Sequence, residues 1–449
     1  VELRIALPKG RLLAGAAEVI RRGGIRIEGY DDHSRSYRFC SPPFQFKVFR
    51  EKDIPIQVAI GSYDLGICGR QWALELLSRY PKSNLVSLRS LNFGWEEICL
   101  ATCPGTGISS LEDLKGRRIR IATEYPYLAE SLALRMRLPE FTIYPLWGNA
   151  LVYPPENAEV ALTSISENPC HLFGLSSLAR AEAVLIANQK SWQEKDLSPF
   201  TSLISPLGEE VPPPVFQNRM PDIGEKLPSN SVRFALPDGH QGEPTFELLS
   251  RAGIHKGKKL RGSFYFGLTF PELWAKVIRP QDMPLQVAQE NFDLAVTGED
   301  WLWEHKLCFP SSPVRKLLSF PIGRVNICAV VSQEVTVNSQ ASLRGAFSEF
   351  RVISEYVNIA DWYARRNHLS PYRVIPTFGA SESFLPEDGD LLIENVQTGA
   401  TIRQQNLKVI DTLFSSSACL IANEESLNMK GKRISHLVDT LKQASEQEI

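Results

Sequence analysis

The chain is written twice. Leu3 to Arg11 reads LRIALPKGR, and Val232 to His240 reads VRFALPDGH. Pro8 and Pro237 stand 229 positions apart. Phe49 to Ala59 (FREKDIPIQVA) matches Ile278 to Ala288 (IRPQDMPLQVA) at the same offset, as does Tyr63 to Gly69 (YDLGICG) with Phe292 to Gly298 (FDLAVTG). Gly94 pairs with Gly323, and Cys99 with Cys328. The offset then slips to 231 at Gly148 and Gly379, and to 235 at Leu185 and Leu420. A register held over so long a stretch is a duplication, and it must be read before any single element.

A chain of 449 residues is too long for one hydrophobic core. The repeat divides it into a first copy at 1–195, a connection at 196–230 rich in proline, and a second copy at 231–449. Pro212, Pro213 and Pro214 favour an extended, stiff connection. Within a copy, short apolar runs alternate with amphipathic stretches, which predicts α/β layers. Leu3 to Leu7, Ile56 to Ala59, Leu65 to Cys68 and Arg118 to Ala122 read as strands. Arg11 to Arg22, Gln71 to Ser78 and Tyr125 to Arg137 read as helices. In the second copy Phe350 to Ser354 and Leu391 to Val396 read as strands, and Val357 to Asn367 and Ile402 to Leu413 as helices.

Composition narrows the function classes. Forty-nine basic against 51 acidic residues leave a net charge of −2, which argues against a nucleic-acid or membrane-surface partner. No apolar run nears the roughly 20 residues needed to cross a bilayer, and Val1 to Leu13 lacks a leader pattern. The eight cysteines are scattered: Cys99 and Cys103 have no second pair to complete a zinc site. The seven histidines show no metal spacing either, and the expectation is a cytoplasmic protein with reduced thiols.

The sharpest chemical segment lies in the second copy. Glu382 follows Gly379, and then come Asp390, Glu394 and the run Thr398, Gly399, Ala400, Thr401. A strand, a small-residue turn and a helix start make an anion cradle, with N–H groups and hydroxyls aimed at a phosphate. Asp390 and Glu394 can take ribose hydroxyls or a bound Mg²⁺. The same residues also read as an ordinary strand-to-helix turn with two solvated acids, and spacing leaves both readings open.

Asp390-x₃-Glu394-x₃-Thr398-Gly-Ala-Thr401, followed by the apolar run Ala418 to Asn423, resembles ATP phosphoribosyltransferase. Leu7 to Leu12 (LPKGRL), Arg50-x₂-Asp53-Ile-Pro55, Asp64 to Gly69, Asn92 to Gly94 and Ile121 to Pro126 resemble further motifs of that family. The resemblance covers both copies. It implies two α/β lobes per copy, like a type II periplasmic binding protein, with substrate between the lobes. It implies that N1 of ATP attacks C1 of phosphoribosyl pyrophosphate, with Mg²⁺ on the departing pyrophosphate, in the first step of histidine biosynthesis. Thr398, Gly399, Ala400 and Thr401 would hold the 5′-phosphate, Asp390 and Glu394 would face the ribose, and Glu382 would stand in the same cleft. Short members of the family work with a regulatory subunit related to histidyl-tRNA synthetase, and members assemble as dimers.

The copies depart from this pattern in complementary places. The first has Glu167 and Asn168 where the second has Thr398 and Gly399, and Leu151 where the second has Glu382. The second keeps Arg279, the counterpart of Arg50, but has Asp238 and His240 in place of Lys9 and Arg11. The expectation is an internal pseudo-dimer, open to further oligomerisation. Its single site would take the cradle from the second copy and Lys9, Arg11 and Arg50 from the first. A non-catalytic regulatory or ligand-binding paralogue is the alternative. A solute-binding protein is a third class, less consistent with the intact turn.

Overall fold

The computed structural model describes residues 2–31, 36–103, 106–165, 173–207, 231–254, 265–266 and 273–446. These residues form four sheets, two in each copy, with the same strand order repeated. In the first copy a six-stranded sheet runs Arg38–Ser41, Phe44–Arg50, Leu3–Lys9, Leu65–Gly69, Ala183–Asn188, Leu85–Ser90. A five-stranded sheet runs Phe173–Ala181, Glu96–Thr102, Val160–Ile165, Arg118–Thr123, Glu140–Pro145. The chain leaves the first sheet after Ser90 and returns at Ala183, so each copy is two α/β lobes joined by two crossings. In the second copy the five-stranded sheet runs Tyr372–Pro376, Phe350–Ser354, Leu391–Val396, Val325–Ser332, Leu407–Ser416.

The two compact units cut across the repeat. One gathers Val1–Pro145, Tyr153–Ile223 and Thr377–Ser383; the other gathers Leu146–Val152, Gly224–Pro376 and Phe384–Ile449, each over its described residues. Each unit therefore includes a short segment from the other copy. In the first unit Ala380 packs on the core formed by Leu3, Ile5, Leu7, Leu13 and Val19. In the second, Trp147 packs against Trp301, and its backbone N–H donates to Asp282 at 2.9 Å.

The first core reaches beyond residue 195. Leu197, Phe200 and Ile204 are buried in it, and the Leu207 N–H donates to Leu91 O at 2.9 Å. The triple proline of the connection lies outside the described residues.

Two predicted elements are corrected. Ile56 to Ala59 is not a strand but part of helix Asp53–Ala59. Pro55 sits in its first turn, where a missing N–H costs nothing. Ile54 and Val58, four apart, share the buried face, and Gly66 lets them approach: a Cβ there would lie 2.7 Å from Ile54 Cγ2. Ile402 to Leu413 is not a helix. Helix Ala400–Gln404 stops after five residues, Asn406 turns to φ +56°, and Leu407–Ser416 is a strand antiparallel to Val325–Ser332. Its Val409, Ile410, Thr412 and Phe414 suit a pleated surface better than a helix.

A buried acid under each six-stranded sheet ties the terminal elements to it. Asp64 accepts from Arg4 N, Ser191 Oγ and Lys195 Nζ at 2.7–3.0 Å. Asp293 accepts from Arg233 N at 2.8 Å, Ser426 Oγ at 2.7 Å and Lys430 Nζ at 2.8 Å. Burial pushes the Asp293 carboxyl up, but the Arg233 guanidinium and Lys430 outweigh it and hold it at about 2.

Candidate functional site

The turn after strand Leu391–Val396 is held by Gly399. Its φ of +69° is a left-handed conformation that favours glycine, and a Cβ there would meet Arg403 Nη1 at 3.1 Å. Thr398 Oγ1 accepts from Ala400 N at 3.4 Å, and Arg403 Nη2 donates to Thr398 O at 3.2 Å. The leading N–H groups of a helix have no partner inside it. Those of Ala400–Gln404 face the same open end as the exposed Thr398. With so short a helix the macrodipole adds little, and local N–H and hydroxyl donors carry the attraction for an anion.

Glu394 and Asp390 have separate tasks. Glu394 lies near the carboxyl end of the strand, half-buried, and accepts from Asn395 N at 3.0 Å and Asn395 Nδ2 at 2.9 Å. The Asn395 amide also reaches Tyr356 Oη at 3.2 Å, and Tyr356 donates to Asp300 at 2.6 Å. Burial, then the negative charge of Asp300, raises the Tyr356 phenol and keeps it a donor. Asn395, Tyr356 and Asp300 border a cavity of about 250 Å³ that also touches Asp238, His240 and Arg279.

Asp390 is corrected from a ribose-facing acid to a structural one. It stands before the first residue of the strand, roughly 20 Å from the turn at about 3.3 Å per residue. Both of its oxygens are taken by Arg351, which donates through N at 2.9 Å, Nε at 3.1 Å and Nη2 at 2.8 Å.

Arg279 is also committed. Its guanidinium pairs with Asp238 at 3.1 Å, and Asn149 Nδ2 donates to the same carboxylate oxygen at 3.1 Å.

Lys9, Arg11, Arg50 and Glu382 belong to the first unit, whereas Arg279, Asp390, Glu394 and Thr398 to Thr401 belong to the second. In the first unit Lys9 and Arg50 are register partners on adjacent parallel strands. Lys9 Nζ donates to Tyr37 Oη at 3.0 Å, and Tyr37 donates to Glu382 at 3.3 Å. Burial, then the nearby Arg50 charge, lowers the Lys9 ammonium, while Glu382 opposes them. Two cations and one acid leave this patch net positive, suited to an anion.

Arg11 is not part of that patch. It donates to Gly94 O at 2.7 Å and lies between Glu51 at 3.0 Å and Glu96 at 3.3 Å, so its charge is spent inside the first copy. Glu167 and Asn168 lie outside the described residues.

The sequence reading missed Tyr37 and Arg324. Arg324 differs between copies at the constant offset, where the first copy has Trp95. A position-by-position comparison of the two copies was the signal available.

Among the described residues no helix is long and apolar enough to cross a membrane. A sequence model of the ATP phosphoribosyltransferase family matches residues 50–209 and 279–443. The ATP phosphoribosyltransferase of Chlorobaculum parvum is 30% identical over 210 residues, 46% of this chain and 68% of that protein. That of Saccharolobus solfataricus is 32% identical over 222 residues, 48% and 72%. That of Dictyoglomus turgidum is 30% identical over 221 residues, 48% and 98%. Among solved structures, the ATP phosphoribosyl transferase (HisG:HisZ) complex from Thermotoga maritima aligns over 48% of this chain and 99% of its own. Its TM-score is 0.41 and its identity 19%. The aliphatic sulphonate binding protein of Escherichia coli aligns over 49% and 73%, with TM-score 0.33 and 12% identity.

Proposed function

The chain belongs to the ATP phosphoribosyltransferase family, and on that premise we propose that it joins N1 of ATP to C1 of phosphoribosyl pyrophosphate, as the first step of histidine biosynthesis. The N1–C1 bond forms as the C1–O bond breaks, and that bond's electron pair leaves with pyrophosphate. The observation that carries the reading is the Gly399 turn: φ +69°, exposed Thr398 and Thr401, and a short helix opening at Ala400.

The 5′-phosphate rests on the N–H groups and hydroxyls of Thr398 to Thr401. Positive charge gathers on the ribose as pyrophosphate leaves. The Glu394 carboxylate, fixed by two bonds from Asn395, stabilises it without reorganising. Within the first unit, Lys9 and Arg50 make a net positive patch suited to an anion, and Tyr37 joins Lys9 to Glu382. Magnesium enters as the counter-ion of pyrophosphate, part of the substrate. Among the described residues no group of three or more metal-binding side chains would hold it alone.

The test is an assay of the purified chain with ATP, phosphoribosyl pyrophosphate and Mg²⁺, beside Gly399→Glu. It is run alone and with a regulatory subunit related to histidyl-tRNA synthetase. Product from the wild type and its loss in the variant support the reading. The Asp238–Arg279 pair favours a second reading, a ligand-binding regulatory paralogue, because it neutralises basic positions of the second copy. No product from the wild type under either condition would select it.

A further inference from the structure

A second cavity of about 410 Å³ opens beside the turn, within the same unit. It lies where three strand ends meet. Asn326 is in register with Val396 on one side and Ser415 on the other, and Val325 with Ser416. Arg324, Asn326, Gln397, Ser415 and Ser417 line it, and Gln397 is the residue before Thr398. No lining residue is acidic. Its volume lies within the roughly 300–1,000 Å³ of small-molecule sites. Its place, outside the carboxyl end of Leu391–Val396, is where α/β sheets take ligands.

The donors are ready. Arg324 is exposed and has no ion pair among the described residues. Ser415 Oγ donates to Asn326 Oδ1 at 2.7 Å, so the amide oxygen is engaged and the NH₂ end is left to donate. A guanidinium fork matches phosphate oxygens two at a time.

The comparison with the first copy gives this cavity its sign. At the constant offset Arg324, Val325 and Asn326 face Trp95, Glu96 and Glu97. The first copy thus places two carboxylates on a stretch where the second has a cation and no acid. The turn differs in the same sense, with Glu167 and Asn168 against Thr398 and Gly399. In sequence, both differences replace acids of the first copy with basic or neutral residues in the second.

We propose that this cavity is a second anion subsite, in which Arg324 binds a polyphosphate group of substrate next to the phosphate on the Thr398–Thr401 turn. This rests on the phosphoribosyltransferase reading above. Two sources share the chemistry: the pyrophosphate of phosphoribosyl pyrophosphate and the triphosphate of ATP.

Calorimetric titration of the full chain with inorganic pyrophosphate, phosphoribosyl pyrophosphate and ATP, each with Mg²⁺, tests it. Arg324→Ala should weaken pyrophosphate binding about tenfold, the scale of a charge-assisted contact, and Arg324→Lys should fall between. Arg373→Ala, on the edge strand of the same sheet, controls for net charge. A loss shared with phosphoribosyl pyrophosphate assigns the leaving group; a loss shared with ATP assigns the triphosphate. Pyrophosphate binding by Arg324→Ala within twofold of wild type overturns the proposal, as does an equal loss in Arg373→Ala. A wild type that binds none of the three overturns the phosphoribosyl reading as well.

Discussion

Arg11→Ala separates a structural arginine from a substrate-binding one. The guanidinium is about a third exposed, but its partners are not: the Glu51 and Glu96 side chains are 12% and 11% exposed. Burial raises both carboxyls above the usual glutamate value, and Arg11 is the charge that opposes this most in each. Removing it leaves two buried acids facing each other's field. Breaking one side of a buried pair costs roughly 3–5 kcal/mol, and the partial exposure of Arg11 places the cost near ~3 kcal/mol. The pH dependence follows from the raised values. A carboxyl whose folded value lies above its unfolded one favours folding at low pH and loses that contribution as pH rises through the folded value. Without Arg11 both values rise further, so the variant should be weakest at pH 8 and recover toward pH 4.5, where both acids take up protons. Urea unfolding of wild type and variant at the two pH values measures this, read on the transition of the first unit. A stability gap that is the same at both pH values, or below about 0.5 kcal/mol at pH 8, would refute the structural assignment. It would return Arg11 to the substrate-binding set.

Asp390→Asn should lower stability by about 1–2 kcal/mol through its loosened bonds to Arg351 while leaving the KM for phosphoribosyl pyrophosphate unchanged; a raised KM with intact stability would restore it to the site. Glu394→Gln should cut kcat by about 10²-fold or more with little change in KM, as expected for a group acting on charge that develops in the transition state. The measurement is steady-state kinetics with phosphoribosyl pyrophosphate varied. Asp293→Asn should cost about 2 kcal/mol at pH 7, since the folded carboxyl sits at about 2 against 3.8 unfolded. That contribution is present above pH 4 and lost as pH falls through 2, so acid titration of the two proteins should converge there.

What could be read in the sequence was what repeats. The offset of 229 fixed the pairing of Lys9 with Asp238 and of Arg50 with Arg279, and the alternation of elements fixed the layers. What could not be read was which end of a strand a residue occupies in space. Asp390 and Glu394 look equivalent as two acids four apart. Yet one begins a strand and is bound by Arg351, while the other nears the open end. Local pattern also misplaced two elements. Residues 56–59 are apolar enough for a strand, and only the four-residue spacing of Ile54 and Val58 over Gly66 shows the helix. Leu407–Ser416 is a strand because it pairs with Val325–Ser332, a partner some eighty residues away in sequence. Glu382 could not be placed either, because it sits in the unit built mainly from the other copy.

The two copies treat one local conflict in opposite ways. Lys9 and Arg50 stand in register on neighbouring strands, and their repulsion, added to burial, lowers the lysine. Such a clash persists where function needs it, since a bound anion would relieve it. In the second copy the same two positions hold Asp238 and Arg279, which neutralise each other at 3.1 Å. That exchange removes the like-charge repulsion. The second copy carries its cation elsewhere, at Arg324, beside the turn that the first copy replaced with Glu167 and Asn168. Restoring Lys9 chemistry by Asp238→Lys should recreate the repulsion with Arg279. The variant should be less stable than wild type, and added pyrophosphate should raise its unfolding temperature more than that of the wild type. Equal shifts in the two proteins would show that the charge reversal at Asp238 has no bearing on anion binding.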